Sequence, residues 1–277
     1  MLYLVLAILC SSSIALIFKF SETSNMNRFV VTTSNYLIAF ITSLVLTLIE
    51  GTPWTAFPIW LGSLAGIFFF LSFYLYQKSV RESGASLSGA FGKMGILIPM
   101  ILSVIIWNEM PAFIQWIGIA LALLSILLVN LPSKRERKTF HIDLIFLFFF
   151  GGMAEFFNKF FQKYATDSAD KNLFLFFVFF SAFIISLIFS VLKKSRKKFA
   201  LKDFFTGLAV GVPNLFSSFF LIMSLDHLKT AVVFPIYSAG SITLITLAST
   251  LFFKEKLKTK EIISIIVTII ALILVNM

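Results

Sequence analysis

Charge is scarce in this sequence. Asp, Glu, Lys and Arg make up 13% of its 277 residues, against about 25% in ordinary soluble domains. Cysteine occurs once, at Cys10, so no disulfide can close within the chain and a disulfide scaffold is excluded. Thirteen glycines and seven prolines are too few for a collagen-like repeat. What remains is apolar: 59% of the residues are hydrophobic, 36 residues are Phe, and the mean hydropathy is +0.97. Disorder does not fit such a composition, and a soluble body built from it would expose large apolar patches. The chain reads as an integral membrane protein.

The apolar residues run in stretches near 1–20, 30–49, 58–79, 84–107, 111–131, 143–164, 172–192, 203–225, 230–253 and 261–277. Each is close to the ~20 residues a helix needs to cross ~30 Å of hydrocarbon. Short alternating strands of the barrel type are not visible. The expected fold is therefore all-α, with ten transmembrane helices.

A net charge of +10 would suggest nucleic acid as the partner of a soluble protein. Here the positions matter more. Eighteen of the 23 Lys and Arg fall in the loops after segments 1, 3, 5, 7 and 9, and only Lys163, Lys171 and Lys229 in the opposite loops. Cationic loops resist translocation, which places the odd-numbered loops in the cytoplasm, both termini outside, and the protein in the plasma (inner) membrane. The basic stretches at 134–138 and 193–202 then lie against anionic lipid and are no nucleic-acid site. Met1 enters the first apolar run without a basic leader, so that run is expected to stay as a helix. Connections are short and leave no room for a separate catalytic domain.

The two halves repeat. Gly62-x-x-x-Gly66 returns as Gly207-x-x-x-Gly211 at an offset of 145, and Trp107-Asn108-Glu109-Met110 as Phe253-Lys254-Glu255-Lys256 at 146. Gly118 answers Ser264, Asn130 answers Asn276, and Lys19-Phe20 answers Lys159-Phe160 at 140. One order and small drift indicate a duplicated five-helix unit: 1–131, a basic linker at 132–142, and 143–277. Five is odd, so the copies insert upside down relative to each other, the usual construction of secondary transporters. The alternative is duplication for scaffolding alone.

On these residues the sequence resembles the drug/metabolite transporter superfamily, in its ten-helix EamA-type branch. Two features carry the match. One is the repeated helix end, bend and acidic residue, Ile106-Trp107-Asn108-Glu109-Met110-Pro111 and Leu251-Phe252-Phe253-Lys254-Glu255-Lys256-Leu257. The other is the apolar helix that follows, from Gly118 to Asn130. The resemblance implies a central cavity lined by helices 1, 3, 4, 6, 8 and 9, with helices 5 and 10 peripheral. It leaves the substrate open among amino acids, amines, sugars, nucleotide-linked sugars and drugs. The sequence departs from the family in Ser264, where glycine is expected, and in lacking an aromatic-glycine opening of helix 6. Many relatives keep both termini cytoplasmic, against the loop charges here.

Within the apolar segments only Glu155 and Lys93 are deep charges, while Lys159 is one turn from the end of the sixth. Both deep groups lie roughly 14–18 Å from a segment start, near the midplane. An isolated charge there costs at least ~2.5–3.5 kcal/mol, so it has a partner or faces water. Read functionally, Lys93 holds a substrate carboxylate or phosphate, and Glu155 binds an amine or carries the coupling proton. Read structurally, the two form a bridge pinning helix 4 to helix 6.

Around that level stand Ser11, Ser12 and Ser13, Asn35 and Tyr36, and Ser72, Tyr74 and Gln77. Asn158, Asn214, Ser217, Ser218, Tyr237, Ser238 and Ser241 complete the polar set. Most serines read as packing residues. Buried Asn214, beside Pro213, and Tyr237 need partners and read as lining residues. The Gly-x-x-x-Gly pairs and the Gly84, Ser88, Gly92 row read as close helix contacts. Pro99, Pro213 and Pro235 are expected to kink their helices. Phenylalanines read as core or lipid-facing, with a few able to wall a cation site.

No P-loop, metal-ligand spacing or nucleophile set is present, which points away from an enzyme, from ATP drive and from a cofactor or metal. The expectation is a secondary-active transporter of small polar metabolites, amino acid or related zwitterion favoured. It would be proton-coupled or exchange-driven, an exporter or exchanger, and monomeric or homodimeric. Substrate-binding candidates are Lys93, Glu155, Asn214, Tyr237, Asn158 and Ser12, with Glu155 also proton-coupling. The alternatives are an exchanger or flippase of phosphorylated, nucleotide-linked or lipid-linked sugars, and a structural or regulatory subunit without transport.

Overall fold

A computed structural model describes residues 1–24, 26–83, 85–130, 142–165, 170–192, 200–253 and 259–275. They form eleven helices: α1 (Leu2–Thr23), α2 (Arg28–Glu50), α3 (Ala56–Ser83), α4 (Ala85–Met94), α5 (Leu97–Trp107), α6 (Phe113–Asn130), α7 (Asp143–Tyr164), α8 (Asp170–Leu192), α9 (Leu201–His227), α10 (Thr230–Phe253) and α11 (Thr259–Val275). In hydrocarbon each backbone N–H and C=O must be satisfied internally, which long apolar segments achieve only as helix. Helices α1 to α3 and α7 to α10 are long and apolar enough to cross alone. Helices α6 and α11 are shorter crossings, and α4 with α5 makes one crossing in two pieces, so the chain has ten spans. Gly84, Asn276, the basic stretches at 134–138 and 193–199, and the second motif from Lys254 to Leu257 lie outside the described residues.

The split fourth span differs from the single segment expected over 84–107, and its cause is local. Pro99 has no N–H to give the Gly95 carbonyl. That carbonyl instead accepts from Ile98 N at 3.0 Å, and the helix restarts at Leu97. Proline alone does not break a span here: α9 runs through Pro213 and α10 through Pro235. The fourth span also has to meet α7 backbone to backbone. A Cβ on Gly95 would sit 2.9 Å from Gly152 N and 3.0 Å from Phe148 O.

The chain packs inside out relative to a soluble bundle. Helix α2 buries Thr32, Ser34, Asn35, Ser43 and Thr47 while Ile41, Val45, Leu48 and Ile49 face outward. Small residues let backbones approach, which drives association where lipid is as apolar as the protein. Gly62 and Gly66 of α3 lie against the Phe174 and Val178 carbonyls of α8. At the same places in the second copy, Gly207 and Gly211 of α9 lie against the Val31 and Asn35 carbonyls of α2.

Outer helices α6 and α11 follow the same rule. Gly118 meets Ala271 and Val275, while its counterpart Ser264 donates to the Ser125 carbonyl at 2.8 Å, the position matching Ala271. Exchanging the two copies thus exchanges the contacts. This is the signature of two inverted five-helix repeats related by an approximate two-fold.

Two cores result. One is aromatic, with Phe70 of α3, Phe157 and Phe161 of α7, Phe174 and Phe179 of α8, and Tyr36 of α2. The other is aliphatic, with Leu4 of α1, Met100 of α5, Ile119 and Ile126 of α6, and Val232 and Val233 of α10.

Candidate functional site

Lys93 stands in the last turn of α4, just before the break, and Glu155 stands about halfway along α7. Their charges interact, but they form no ion pair among the described residues. The structural bridge open in the sequence is therefore absent. Lys93 Nζ lies 5.5 Å from the centroid of the Tyr237 ring on α10, within reach of the ring's negative face. Tyr237 is buried, so the ammonium points into the bundle, while Lys93 and Glu155 themselves are half-buried. Among the described residues, Lys93 has no hydrogen-bond or ion-pair partner.

The surrounding polar groups are partly spoken for. Asn158 Nδ2 donates to Glu155 Oε2 at 3.1 Å, while its Oδ1 is buried without a partner. The Tyr237 hydroxyl and Ser217 Oγ share a hydrogen bond of 2.8 Å. Lys93, Glu155, Asn158 and Tyr237 thus form one cluster. Asn214 is apart from it: its Nδ2 donates to Asn35 Oδ1 at 3.1 Å, leaving the buried Asn35 Nδ2 unpartnered. Ser12 is closed off, donating to the Ile8 carbonyl at 2.7 Å and the Ser241 carbonyl at 3.3 Å. Among the described residues no three His, Cys, Asp or Glu side chains gather to hold a metal.

A second charged cluster seals the end of the bundle that carries the even-numbered loops. Asn108 closes α5 in the left-handed conformation, φ 54°, with its N–H turned back to Val104 O. Asn tolerates that conformation better than other side-chain-bearing residues. The turn presents Glu109 to the second repeat. Glu109 Oε1 pairs with Lys159 at 3.0 Å and Lys163 at 3.6 Å, and Oε2 accepts from Thr230 Oγ1 at 2.6 Å. Burial alone would push the Glu109 carboxyl up. The bonds from Thr230 and Lys159 and the charges of Lys159 and Lys163 outweigh it and hold the group below the usual carboxylate range.

Trp107 adds to the seal, donating to the Tyr164 hydroxyl at 3.2 Å with Lys159 over its ring at 5.7 Å. The other end has its own inter-repeat pair, Lys78 to Asp143 at 2.9 Å. Sequence reasoning quoted Glu109 as part of a motif and gave it no role. The available signal was that both repeats keep an acid after this span, Glu109 and Glu255, and a lysine late in their first, Lys19 and Lys159.

Comparison with known proteins agrees with this architecture. The chain is 24% identical over 284 residues to an uncharacterized protein of Haemophilus influenzae, covering 97% of this chain and 95% of that one. It superposes on a crystal structure with a TM-score of 0.81, over 100% of this chain and 97% of the other, at 13% identity, a likeness of fold alone. The model of the EamA-like transporter family matches residues 1–131 and again 144–277. The two matches fall on the two inverted copies, and the chain belongs to the EamA-like transporter family, membrane transporters of the drug/metabolite type.

Proposed function

We propose that this chain is a secondary-active transporter of small polar metabolites, with an amino acid or related zwitterion as substrate. It works by alternating access between its repeats, units 1–131 and 143–277 joined by the linker at 132–142. One observation carries the reading: a lysine at mid-membrane depth, Lys93, with no ion-pair or hydrogen-bond partner among the described residues. A cation kept there without a fixed counterion is costly unless water or a ligand supplies the missing interactions. A substrate carboxylate meets Lys93, and its amine meets Glu155 and the face of Tyr237. Asn158 holds Glu155 in place, and the pair of Asn214 and Asn35 lines the approach. Ser12 serves contact between α1 and α10 in this state.

Glu155 is also the group that carries a coupling proton, where a proton gradient and not exchange drives the cycle. A single cation favours a carboxylate over a phosphate, whose sites gather several. The loop charges support an orientation with the odd-numbered loops in the cytoplasm, in a plasma membrane, with the protein working as a monomer or homodimer.

The test is a thermal-shift screen of amino acids, amines and sugar phosphates on the purified chain, followed by uptake of the hits into liposomes. A ligand that binds the folded state raises the unfolding midpoint. Stabilisation by zwitterions with gradient- or exchange-driven uptake is expected. Stabilisation by sugar phosphates alone, or no uptake of any hit, overturns the reading. Glu155→Gln is expected to flatten the pH dependence of uptake, and unchanged pH dependence removes its proton role.

A further inference from the structure

The mechanism above leaves the even-loop cluster unused, and a cavity of about 470 Å³ opens beside it. Its walls are the turn at 108–110 from the first repeat, the end of α7, and the α9–α10 junction. Three cations face it, Lys159, Lys163 and Lys229, against two carboxylates, Glu109 and Asp226. Lys159 is 3% exposed. Its ammonium is held by Glu109 and by Gln162 Oε1 at 3.0 Å. Lys163 reaches the same Glu109 oxygen only at 3.6 Å, with 42% of its side chain exposed. Among the described residues, the Lys229 side chain has no ion pair or hydrogen bond. Glu109 therefore acts as a built-in carboxylate in a pocket with cationic capacity to spare.

We propose that this cavity is an anion-binding vestibule in which the carboxylate of a passing substrate takes the place of Glu109 on Lys159 and Lys163, unclamping the first repeat from the second. The proposal rests on the transport reading and adds a second, peripheral subsite to it. Glu109 comes from the first repeat, while Lys159, Lys163 and Thr230 come from the second, so these bonds must part if this end is to open. A ligand shifts such an equilibrium only by binding one state better. A carboxylate held by Lys163 and Lys229 gains Lys159 as a third cation once Glu109 leaves, so it binds the unclamped state better. It thereby couples arrival to opening.

The experiment uses the full chain with Cys10→Ser and a reporter cysteine at Leu225, a vestibule-lining residue only 3% exposed. Maleimide labelling is timed in acetate, in inorganic phosphate and in chloride at matched ionic strength. Acetate is expected to speed labelling at least about fivefold over chloride. Glu109→Gln is expected to label fast without any carboxylate. Lys163→Gln and Lys229→Gln, both at exposed positions, are expected to abolish the acetate effect. Labelling that ignores acetate, or an acetate effect that survives Lys163→Gln with Lys229→Gln, overturns the proposal, even if the Glu109 variant fails to fold. Phosphate acting where acetate does not would overturn the carboxylate assignment. Labelling that ignores acetate beside normal Lys93-dependent uptake sinks only this inference. Acetate-dependent labelling without any uptake sinks the transport reading.

Discussion

The fourth and ninth spans occupy equivalent places in the two repeats and differ in continuity and in buried charge. The fourth is broken at Gly95, carries Lys93 in the last turn of its first half, and lies glycine to glycine against α7. The ninth is one continuous helix, and Ser238 stands where the offset of 145 puts the counterpart of Lys93. By contrast the glycine contacts of the third and eighth spans have stayed matched to the residue. Packing that defines the two-fold is kept in both copies, because each copy needs it to hold the other. Chemistry need appear only once, so the charge, the break and the aromatic ring are shared out between the repeats. The fold is symmetric and the proposed site is not.

That contrast can be broken most sharply at the diverged pair. Lys93→Ala should lower uptake of a zwitterionic substrate by roughly 10–100-fold, the worth of a lost charge-assisted hydrogen bond. Ser238→Ala, whose hydroxyl is buried and unpartnered, should stay within about twofold. Equal losses in initial-rate measurements would mean the repeats share the chemistry after all.

The matched pair should behave in the opposite way. Gly66→Leu and Gly211→Leu each force a side chain against the backbone of a neighbouring helix, and overpacking of this kind costs about 1–3 kcal/mol or more. Both should lower the thermal unfolding midpoint to a similar extent, and a large difference between them would show that only one interface is tight.

A smaller effect is expected at the prolines. Pro99→Ala restores an N–H opposite the Gly95 carbonyl, mends the fourth span and moves Lys93 off the Tyr237 ring, slowing uptake about fivefold to tenfold, near 1.4 kcal/mol. Pro235→Ala, in a helix already continuous, should change uptake by less than about twofold.

The smallest concerns the two ends of the bundle. Because the Glu109 carboxyl is held low, its contribution to stability is present above the unfolded-chain value near 4.3 and disappears as pH falls through the lower folded value. Thermal midpoints read between about pH 6 and pH 3 should therefore fall less steeply for Glu109→Gln than for the parent. Parallel curves would remove Glu109 as a clamp.

Much of this was legible beforehand. The ten spans follow from run length against bilayer thickness, and the repeat from matched glycines and charges at a near-constant offset. Lys93 and Glu155 stood out because a charge in a long apolar run is rare. The split of the fourth span was only half visible. Proline marked a weak point in three helices, but only Pro99 coincides with glycines on both sides of a helix crossing, a contact between distant segments. Glu109 was harder still, since an acid at a helix end is ordinarily solvated. Nothing in its neighbours shows that Lys159, 50 residues on, reaches back to it.

Sequence by itself determined the membrane character, the number of crossings and their inverted duplication, because these depend on apolar length and parity, which are properties of consecutive residues. Only the tertiary structure decided which polar groups come together: Lys93 against Tyr237, Asn158 on Glu155, Ser12 closed off against α10, Glu109 clamped to the second repeat. Those pairings join helices far apart in the chain, and where each side chain points is set by the rotation of packed helices about their axes, which apolar composition leaves free.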